Sequence, residues 1–496
     1  MRWLLFLCFS WICISVFGAD VRPNVLFIAV DDLKPTLGCY GDTVARTPSI
    51  DHLAANGTVF ANNHCQQAVC APSRCSLLTG LRPDSTKVWD LQTKFRDHVP
   101  DVITIPQHFR QNGYETAGMG KVFDYRSVDS DKEQDAPSWT QPYVMPKGTC
   151  GQNYADDALT QKARKARQDG LLKKDNRKEA GRELGLRPPV EALDVQDQTY
   201  DDGATTQVAI TTMKKLAAED KPFFLAVGFK KPHLPFVAPK RYWDLYDRDK
   251  FELASWQKPS VDGPDVAYHN SGELRSYSQI PVQGALDSDL QRELIHGYYA
   301  CVSYIDAQVG MLLDALEANG LAESTIVVLW GDHGWHLGDH GLWCKHSNFE
   351  QATRSPLIIR APGLQAGQTS SPTEFVDIFP TLCDLTGLDI PTGLQGTSLL
   401  PILKDSQATV KTYAVSQFPR GGKRNPIMGY SMRSTRYRYT VWLATDYRAD
   451  KKQGHIMGRE LYDYENDPME TRNLIDDPAY AKIQKQVETD FPKVIK

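Results

Sequence analysis

The segment CAPSRCSLLTG, from Cys70 to Gly80, places a cysteine, a proline and an arginine within five residues. Proline is tolerated in the first turn of a helix, and the apolar run that follows ends at Gly80, so Cys70 is predicted to lie near a helix N-terminus. Backbone N–H groups at that end of a helix point toward anions, and Arg74 lies one turn further along the same face. The spacing therefore predicts an anion site; a buried or disulfide-bonded cysteine beside a surface arginine is the alternative interpretation.

Two predicted strands, over residues 25–30 and 325–330, are each followed by side chains that can bind metals. These side chains are Asp31 and Asp32 after the first strand and Asp332 and His333 after the second. Because ligands of α/β sheets gather beyond the carboxyl ends of strands, three carboxylates and an imidazole would meet there. Such oxygen-rich ligation suits Ca²⁺ or Mg²⁺ better than zinc. Either pair alone could be an ordinary turn or helix cap, but their joint occurrence favours a metal site, with His333 either a ligand or a supporting group.

These groups need a scaffold, and β-rich runs that alternate with helical patterns predict an α/β fold with a mainly parallel or mixed sheet. The clearest strands are predicted over residues 25–30, 115–119, 223–229, 325–330 and 357–360. Helices are predicted over residues 49–56, 103–112 and 299–319. The ends of such strands would bring the two metal-binding pairs together.

Two regions interrupt this alternation. Residues from about 125 to 200 are polar and rich in Lys and Arg, which predicts a solvated helix or a surface insertion; a basic patch for a polyanionic glycan is the alternative. Strand-like segments over residues 413–417, 430–433 and 437–443, with a closing helix over 479–491, predict a smaller antiparallel sheet. We therefore expect a large catalytic domain over residues 19–405 and a C-terminal subdomain over residues 406–496.

The composition excludes several classes of protein. The 496 residues are 41% hydrophobic and 24% charged, which is typical of a globular chain, and the net charge of −5 gives no basic footprint for nucleic acid. At the N-terminus, Arg2 precedes an apolar stretch from Trp3 to Phe17, so residues 1–18 are predicted to be a secretory signal peptide. The stretch is short for a membrane span, and we expect a soluble protein exported to a periplasm, the cell exterior or a lysosome-like compartment.

Three segments of the chain resemble the hallmark segments of type I sulfatases, which share the alkaline-phosphatase-like fold. They are residues 24–32, the CAPSR pentapeptide with its LTG tail, and GYETAGMGK over residues 113–121. Further segments are similar to the iduronate-2-sulfatase branch of that family: VDDLKPTLGCYGD from Val30, QQAVCAPSR from Gln66, FFLAVGFKKPHLPF from Phe223, DHGWHLGDHGLWCKHSN from Asp332 and ELYDYENDPMETRNL from Glu460. The resemblance implies a sulfuric ester hydrolase whose large mixed sheet is flanked by helices.

Position by position, the resemblance implies a calcium site and a modified cysteine, with Mg²⁺ as the alternative ion. The residues that match the family's calcium ligands are Asp31, Asp32, Asp332 and His333, with modified Cys70 completing the set. Cys70 matches the residue that a formylglycine-generating or equivalent maturation enzyme oxidises to formylglycine, whose hydrate supplies the attacking oxygen. The residues that match those contacting formylglycine, sulfate and the leaving oxygen are Arg74, Lys121, His233 and Lys345. Sulfuryl transfer would then rely on positioning and charge stabilisation, with His233 as general acid.

Outside the resemblance, Lys121 would be interpreted as a surface lysine, His233 as a loop histidine bonded to the backbone, and Lys345 as exposed or stacked on Trp343. One position departs from the family pattern: where the family carries a histidine after the lysine, this chain has Asp124. Asp124 could act as a base, bind the substrate or pair with Lys121, and these alternatives stay open. His336, in the loop after the second metal pair, is the hypothetical replacement for the missing imidazole.

The resemblance implies a sulfated glycan as substrate, in particular the 2-O-sulfate of an iduronate or other uronate residue at the end of a glycosaminoglycan. A sulfated algal polysaccharide, ulvan or carrageenan, is the alternative. A uronate carboxylate would need further cations, and the candidates are the basic insertion, Lys230, Lys231, Arg433 and Arg436. Two other classes remain: a phosphate or phosphonate ester hydrolase of the same superfold, against which the Cys70 segment argues, and a catalytically silent glycan-binding protein.

Overall fold

The structure, a computed structural model, describes residues 22–130, 132–151, 153–173 and 175–495. The predicted signal peptide, residues 1–18, lies outside the described residues. None of the helices within these ranges is both long and apolar enough to cross a bilayer.

Strands and helices alternate along most of the chain, as the sequence pattern predicts. In chain order the strands are β1 (Asn24–Val30), β2 (Thr58–Phe60), β3 (Asn63–His64), β4 (Glu115–Gly120), β5 (Val190–Leu193), β6 (Phe223–Phe229), β7 (Phe236–Pro239), β8 (Thr325–Gly331), β9 (His336–Leu337), β10 (Trp343–Cys344), β11 (Leu357–Arg360), β12 (Gly367–Thr369), β13 (Thr373–Glu374), β14 (Ala414–Arg420), β15 (Ile427–Arg433), β16 (Tyr437–Ala444) and β17 (His455–Asp463). The α-helices are α1 (Pro48–Ala55), α2 (Cys70–Thr79), α3 (Pro83–Thr86), α4 (Ile105–Gln111), α5 (Asp157–Gln168), α6 (Arg177–Glu183), α7 (Asp201–Leu216), α8 (Lys240–Trp243), α9 (Ser288–Ala318), α10 (Glu350–Thr353), α11 (Ile378–Thr386), α12 (Leu400–Lys404) and α13 (Ala481–Val494).

The largest sheet has seven strands in the order β12-β2-β11-β8-β1-β6-β4. Strand β1 runs parallel to β6 and β8, and β4 runs parallel to β6, whereas β11 is antiparallel to both of its neighbours. The central strands β1, β6 and β8 are almost wholly buried and apolar, as expected for parallel strands covered on both faces. The predicted α/β fold with a mainly parallel mixed sheet is confirmed.

The register of this sheet decides which loops meet at its carboxyl edge. Val30 of β1 pairs with Phe229 of β6 on one side and with Gly331 of β8 on the other, so three chain segments leave the sheet at the same level. The end of β4 joins them because Gly120 pairs with Gly228. Gly120 has a φ of 72°, and a Cβ there would lie 2.0 Å from the Gly228 carbonyl oxygen, so this close approach requires glycine.

Helix α9 is longer than the sequence predicts. The prediction covers residues 299–319, but the helix begins at Ser288, after Asp287, whose carboxylate accepts a hydrogen bond from the Leu290 N–H. The missed turns contain Gly297, which by itself disfavours a helix. A Cβ at this position would lie 2.9 Å from both Phe236 and Trp243, so packing against β7 and α8 requires the glycine and overrides its low propensity.

A separate four-stranded antiparallel sheet, in the order β14-β15-β16-β17, lies near the C-terminus, and α13 follows it. The sequence predicts β14, β15, β16 and α13 to within a few residues. It misses β17, whose first three residues are exposed at the sheet edge and give no alternating pattern. The C-terminal antiparallel sheet is confirmed; the subdomain boundary after residue 405 stays a prediction.

The polar insertion, residues 125–200, contains two solvent-exposed helices and one short strand. Ala166 is the buried residue of α5 and Gly181 that of α6, which agrees with the interpretation of a solvated surface segment. Strand β5 pairs with β7 in parallel and so anchors the insertion to the main body of the protein. The part of the insertion that precedes α5 lines a cavity.

Candidate active site

Helix α2 begins at Cys70, which agrees with the prediction that this residue lies near a helix N-terminus. Val69 before the helix is extended, and Gly80 after it has a φ of 67°, which glycine adopts without strain and which ends the helix. All ten residues of α2 are buried, Arg74 included, so the alternative of a surface arginine is wrong. The helix therefore holds Cys70 in a fixed position beneath the carboxyl edge of the sheet.

Metal-binding side chains converge on Cys70. One ligand atom from each of Asp32, Cys70, Asp332 and His333 lies within 4.8 Å of the others, and a second group joins Asp31 to Asp32 and Cys70. The Asp32 N–H donates a hydrogen bond to the Asp332 carboxylate at 2.9 Å. The Cys70 Sγ lies 3.5 Å from Nε2 of His333 and 3.9 Å from Oδ1 of Asp32. The five residues predicted from the sequence as metal ligands thus lie in one cluster.

The donor set fits a hard divalent cation. The three carboxylates are at most 1% exposed, and like charges so close together in a buried site repel one another unless a cation lies between them. Carboxylate oxygens suit Ca²⁺ or Mg²⁺, whereas the imidazole of His333 is an unusual ligand for these ions and a thiol sulfur does not suit them. An oxygen in place of the Cys70 Sγ would make the set more favourable for such an ion.

Arg74 braces the two strand ends that carry the carboxylates. Its Nη2 lies 3.0 Å from Asp31 and its Nε 2.9 Å from Asp332, and Nη1 donates to the carbonyl oxygens of Lys121 and Val122. Burial opposes the charge of Arg74, but Asp332 and Asp31 outweigh this effect and raise its pKa above the usual value. Arg74 is wholly buried and contacts both strand ends, so it can hold Asp31 and Asp332 in fixed positions.

Two lysines bring further positive charge to the same carboxylates. Nζ of Lys121 lies 2.5 Å from Asp31, and Nζ of Lys345 lies 3.0 Å from Asp32. Burial would raise the pKa of Asp31, but Lys121 and Arg74 outweigh it and hold that pKa well below its usual range. The alternatives of a surface Lys121 and an exposed Lys345 are therefore wrong, because both side chains are largely buried.

Glu273 is a fourth carboxylate at the site, and sequence analysis missed it. It lies 3.2 Å from Nε2 of His233 and 3.0 Å from Nζ of Lys345. His233 is also 3.8 Å from Asp32, and its Nδ1 lies 2.6 Å from the Leu234 carbonyl oxygen. Burial would lower the pKa of His233, but Asp32 and Glu273 raise it above its usual value. A glutamate in an irregular segment outside any motif gives no sequence signal, and only the folded chain brings it here.

Asp124 forms an ion pair next to the site. Its carboxylate accepts hydrogen bonds from Nε and Nη2 of Arg126 at 2.7 and 2.6 Å, and Nζ of Lys121 lies 3.9 Å away. Burial would raise the pKa of Asp124, but Arg126 and Lys121 lower it below its usual value. Of the three alternatives for Asp124, pairing with Lys121 is therefore the one for which the structure shows a contact. A carboxyl whose pKa is lowered is a weak base. A role as base or substrate ligand stays a prediction.

His336 lies fully buried in β9. Its Nε2 is 2.9 Å from the Ser347 hydroxyl, and within the described residues its Nδ1 has no hydrogen-bond partner. Burial lowers the pKa of His336 well below the usual value. The side chain does not belong to the wall of the cavity that reaches the site, so the hypothesis that it replaces the family's histidine has no contact to support it.

A cavity of about 680 Å³ opens onto the site, and its wall includes Asp31, Lys121 and His233. Lys230, one of the expected cations, lines this cavity but pairs with Asp201 at 2.6 Å. Lys231 also reaches the wall, yet its Nζ donates to the carbonyl oxygens of His233 and Pro235 and so supports the His233 loop.

The two arginines expected from the C-terminal region do not reach the cavity. Arg433 bonds to Glu350 at 3.0 Å, and Arg436 bonds to Asp463 at 2.7 Å. Neither side chain is part of the cavity wall, so the expectation that they bind the substrate is not supported. The basic insertion, by contrast, contributes several cations to that wall.

The chain belongs to the sulfatase family, because residues 23–388 match the family model "Sulfatase". Residues 338–496 match the model for the C-terminal region of N-sulphoglucosamine sulphohydrolase. The protein is thus a sulfuric ester hydrolase with the alkaline-phosphatase-like sulfatase fold, as the resemblance of its motifs implies.

Among curated proteins, iduronate 2-sulfatase of Homo sapiens is 36% identical over 95% of this chain and 95% of its own length. A sulfatase of Formosa agariphila is 31% identical over 82% of this chain and 78% of its own. A solved structure of a 2-O GAG sulfatase superposes with a TM-score of 0.69 at 22% identity, covering 96% of this chain and 92% of that one. The phosphonate monoester hydrolase of Agrobacterium radiobacter has a TM-score of 0.73 at 22% identity, with 95% of both chains covered. These two structures share the fold of this chain.

Proposed function

We propose that this protein hydrolyses the 2-O-sulfate of iduronate or another uronate residue in a glycosaminoglycan and that formylglycine formed from Cys70 is its nucleophile. The observation that carries the proposal is the convergence of Cys70, strand-end carboxylates and buried cations at one end of an α/β sheet, beside an open cavity. The similarity to iduronate 2-sulfatase over nearly the whole chain supports the choice of sugar.

Cys70 is poorly suited to act as a thiol nucleophile. Burial, together with the charge of Asp31, raises the pKa of the Cys70 thiol well above its usual value, so the reactive thiolate is disfavoured. Oxidation by a formylglycine-generating or equivalent maturation enzyme would replace the thiol with an aldehyde, whose hydrate supplies the nucleophilic oxygen. The Sγ position, 3.5 Å from His333, is where that oxygen would lie.

The residues that would hold the cation, for which Ca²⁺ is our choice, are Asp31, Asp32, Asp332 and His333 together with modified Cys70. When bound, the ion polarises a sulfate oxygen and favours ionisation of the nucleophilic hydroxyl. Lys121 and Lys345 flank Asp31 and Asp32, so their ammonium groups are available to neutralise the charge that spreads over the sulfate oxygens.

His233 is the proposed general acid. Its Nδ1–H donates to the Leu234 carbonyl oxygen, which directs Nε2 toward Asp32 and Glu273. Two carboxylates near Nε2 favour the protonated ring, and a proton at that atom can be given to the departing sugar oxygen. Glu273, shared between His233 and Lys345, holds both side chains in place for this step.

The first experiment examines Cys70 and the substrate together. Mass spectrometry of the peptide that contains Cys70 in the active protein is expected to find the aldehyde in place of the thiol. Desulfation is then measured on heparin disaccharides with a 2-O-sulfated uronate, on ulvan and carrageenan oligosaccharides, and on a phosphonate ester. We expect turnover of the heparin disaccharides, abolished by a chelator and restored by Ca²⁺.

Each part of the proposal can fail separately. Active protein that contains only the thiol would refute the formylglycine chemistry. Turnover of ulvan or carrageenan alone would show that the substrate is an algal polysaccharide and not a glycosaminoglycan. Faster turnover of the phosphonate ester would show that the enzyme is not primarily a sulfatase. Binding of glycans without turnover of any ester would show that the protein is a catalytically silent glycan-binding member of the family.

Export is part of the same proposal, because sulfated glycans are extracellular or lysosomal polymers and residues 1–18 have the composition of a signal peptide. N-terminal sequencing of the mature protein is expected to find a start after residue 18. Retention of Met1 in the exported protein would contradict this.

A further inference from the structure

The insertion forms a wall of the active-site cavity that the proposed chemistry does not use. Tyr125, Arg126, Lys132, Gln134 and Lys147 all line the cavity and all precede α5. None of them belongs to the cluster around Cys70 or to the side chains that would contact the sulfate. The hydrogen-bonding and charged groups of these residues that lack partners indicate which ligand the wall can bind.

Gln134 presents a buried acceptor with nothing bonded to it. The side chain is 1% exposed, and within the described ranges its Oε1 has no hydrogen-bond partner, although it borders the cavity. A buried carbonyl oxygen without a donor is unfavourable by an amount comparable to a lost hydrogen bond. Because the residue borders the cavity while this oxygen is covered, a rotation of the side chain toward the cavity would let a hydroxyl or amide N–H of a bound ligand satisfy it.

The same wall carries two lysines that are unpaired or only weakly paired within the described residues. Lys132 has no carboxylate partner within the described part of the chain. Lys147, whose side chain is 60% exposed, lies 3.6 Å from Asp201, but that carboxylate already pairs with Lys230 at 2.6 Å. Around the whole cavity, six Lys or Arg side chains face three Asp side chains. An anionic group is the ligand that such a wall would attract.

Tyr125 adds an apolar surface to this wall. The residue is 51% exposed although its neighbours Phe123 and Asp124 are buried, and the Arg126 guanidinium lies 5.5 Å from its ring centre. An exposed ring with a polar hydroxyl at its edge can pack against the C–H face of a sugar ring and still bond to its hydroxyls. Hydroxyl recognition, an anion site and an apolar surface together describe an anionic sugar.

This wall is continuous with the catalytic cluster. Lys121 pairs with Asp31 in the cluster and approaches Asp124, and Asp124 pairs with Arg126 in the wall. A ligand that occupies both places must extend from the cluster along the cavity. We infer that the wall formed by Tyr125, Lys132, Gln134 and Lys147 is a subsite for a second, anionic sugar, adjoining the residue that carries the scissile sulfate. This inference rests on the proposed function and adds to it the residues that would hold the sugar next to the sulfated uronate.

The test compares a short and a long substrate. The substrates are 2-O-sulfated iduronate as a monosaccharide and the same residue linked to a 6-O-sulfated glucosamine. Lys132→Ala and Tyr125→Ala are each expected to lower kcat/KM for the disaccharide by roughly 5–10-fold and to change that for the monosaccharide by less than about twofold. Lys165→Ala, which removes an exposed lysine of the same insertion away from the cavity, is the matched control and should change neither value.

Gln134→Leu separates recognition from folding. Because it removes an unsatisfied buried acceptor and keeps the side-chain size, we expect an unchanged or higher Tm together with a similar loss of kcat/KM for the disaccharide. Equal losses for both substrates, or no loss for either, would overturn the inference.

A binding measurement keeps this test independent of turnover. Calorimetry is carried out with the 2-O-desulfated disaccharide and the Cys70→Ala variant, with and without Lys132→Ala. We expect the added substitution to weaken binding by roughly 5–10-fold, and unchanged binding would overturn the inference. If the unaltered enzyme hydrolyses neither ester, the proposed function fails while the binding measurement still decides whether the subsite exists.

Discussion

Two buried clusters of charged side chains differ in whether a substrate-sized cavity opens beside their carboxylates. The first is the active-site cluster around Cys70. The second, the junction cluster, joins the large sheet region to the C-terminal sheet and consists of Glu350, Arg433, Arg438, Tyr464 and Glu470. In the junction cluster, both arginines bond to Glu350, and the Arg433 guanidinium lies 3.7 Å from the centre of the Tyr464 ring. Arg438 also lies 3.3 Å from Glu470.

In the junction cluster each charged group faces an opposite charge of the same chain. In the active-site cluster the carboxylates also lie beside cations of the chain, but ligand atoms of Asp32 and Asp332 converge within 4.8 Å of each other and a cavity opens beside the cluster. Both clusters combine buried carboxylates with buried cations, so the presence of buried charge does not by itself distinguish them. The difference teaches that a buried charge network completed within the chain stabilises the fold, whereas one that crowds like charges beside a cavity is suited to an added ion or substrate.

Removal of the nucleophile precursor is expected to have the largest effect. Cys70→Ala should lower kcat by at least about 10³-fold, because the reacting oxygen is lost, and should leave Tm nearly unchanged, since no charge pair is broken. Steady-state kinetics and thermal unfolding measure the two quantities. Cys75→Ala, which removes a buried thiol from the same helix, is the control and should retain activity. Substantial activity of Cys70→Ala would remove Cys70 from the mechanism.

A substitution in the junction cluster should lower the stability of the protein and leave kcat unchanged, which is the opposite of the effect expected for Cys70→Ala. Arg438→Met leaves Glu350 and Glu470 without their shared partner, and the expected loss of stability is about 3–5 kcal/mol. Folded Arg438→Met protein should keep its kcat. Denaturant unfolding gives the free energy, and Arg436→Met, which removes the far more exposed arginine two residues earlier, should change it much less. A large loss of kcat with unchanged stability would contradict the assignment of this cluster to the fold.

Glu273 has features of both clusters, because it pairs with cations of the chain and also lies next to the proposed general acid, with a side chain that is 22% exposed. Glu273→Gln keeps the side-chain shape but removes the charge that His233 and Lys345 share. We expect kcat/KM to fall by about 10–100-fold with little change in Tm. Glu252→Gln, at an exposed position, is the control. Full activity of Glu273→Gln would show that the charge of this carboxylate does not contribute to the reaction.

The smallest expected effect concerns the pH dependence of stability. Burial raises the pKa of Glu470 to about 7, and Arg438 offsets this only in part. Between the unfolded pKa near 4.5 and a folded pKa near 7, the folded protein keeps a proton that the unfolded chain releases, so stability falls as pH rises through this window. The fall should be about 2 kcal/mol.

Glu470→Gln removes this titration and should flatten the dependence. Urea unfolding at pH 5, 6 and 7 measures the slope, with Glu465→Gln, at a carboxylate whose side chain is 64% exposed, as the control. An unchanged slope in Glu470→Gln would show that another group is responsible.

The sequence predicts much of this protein because several of its signals are local. Apolar β-rich runs predict β1, β6, β8 and β11, since a strand buried on both faces is recognised from its continuous apolar run. Proline and glycine delimit α2, which places Cys70 at its first residue. Errors occur where packing overrides propensity, as at Gly297 in α9, and where exposed residues weaken the pattern, as in β17.

The motifs of the chain alone thus identify the family, the strand-end carboxylates and the cysteine that we propose is modified. Only the tertiary structure gave Asp124 its arginine partner, brought Glu273 to His233 and buried His336 away from the cavity. The physical reason is that these contacts join segments far apart in the chain, or depend on which side of a loop faces the cavity, and no local spacing encodes either. For the same reason the orphaned Gln134, on which the proposed second sugar site depends, is visible only in the folded protein.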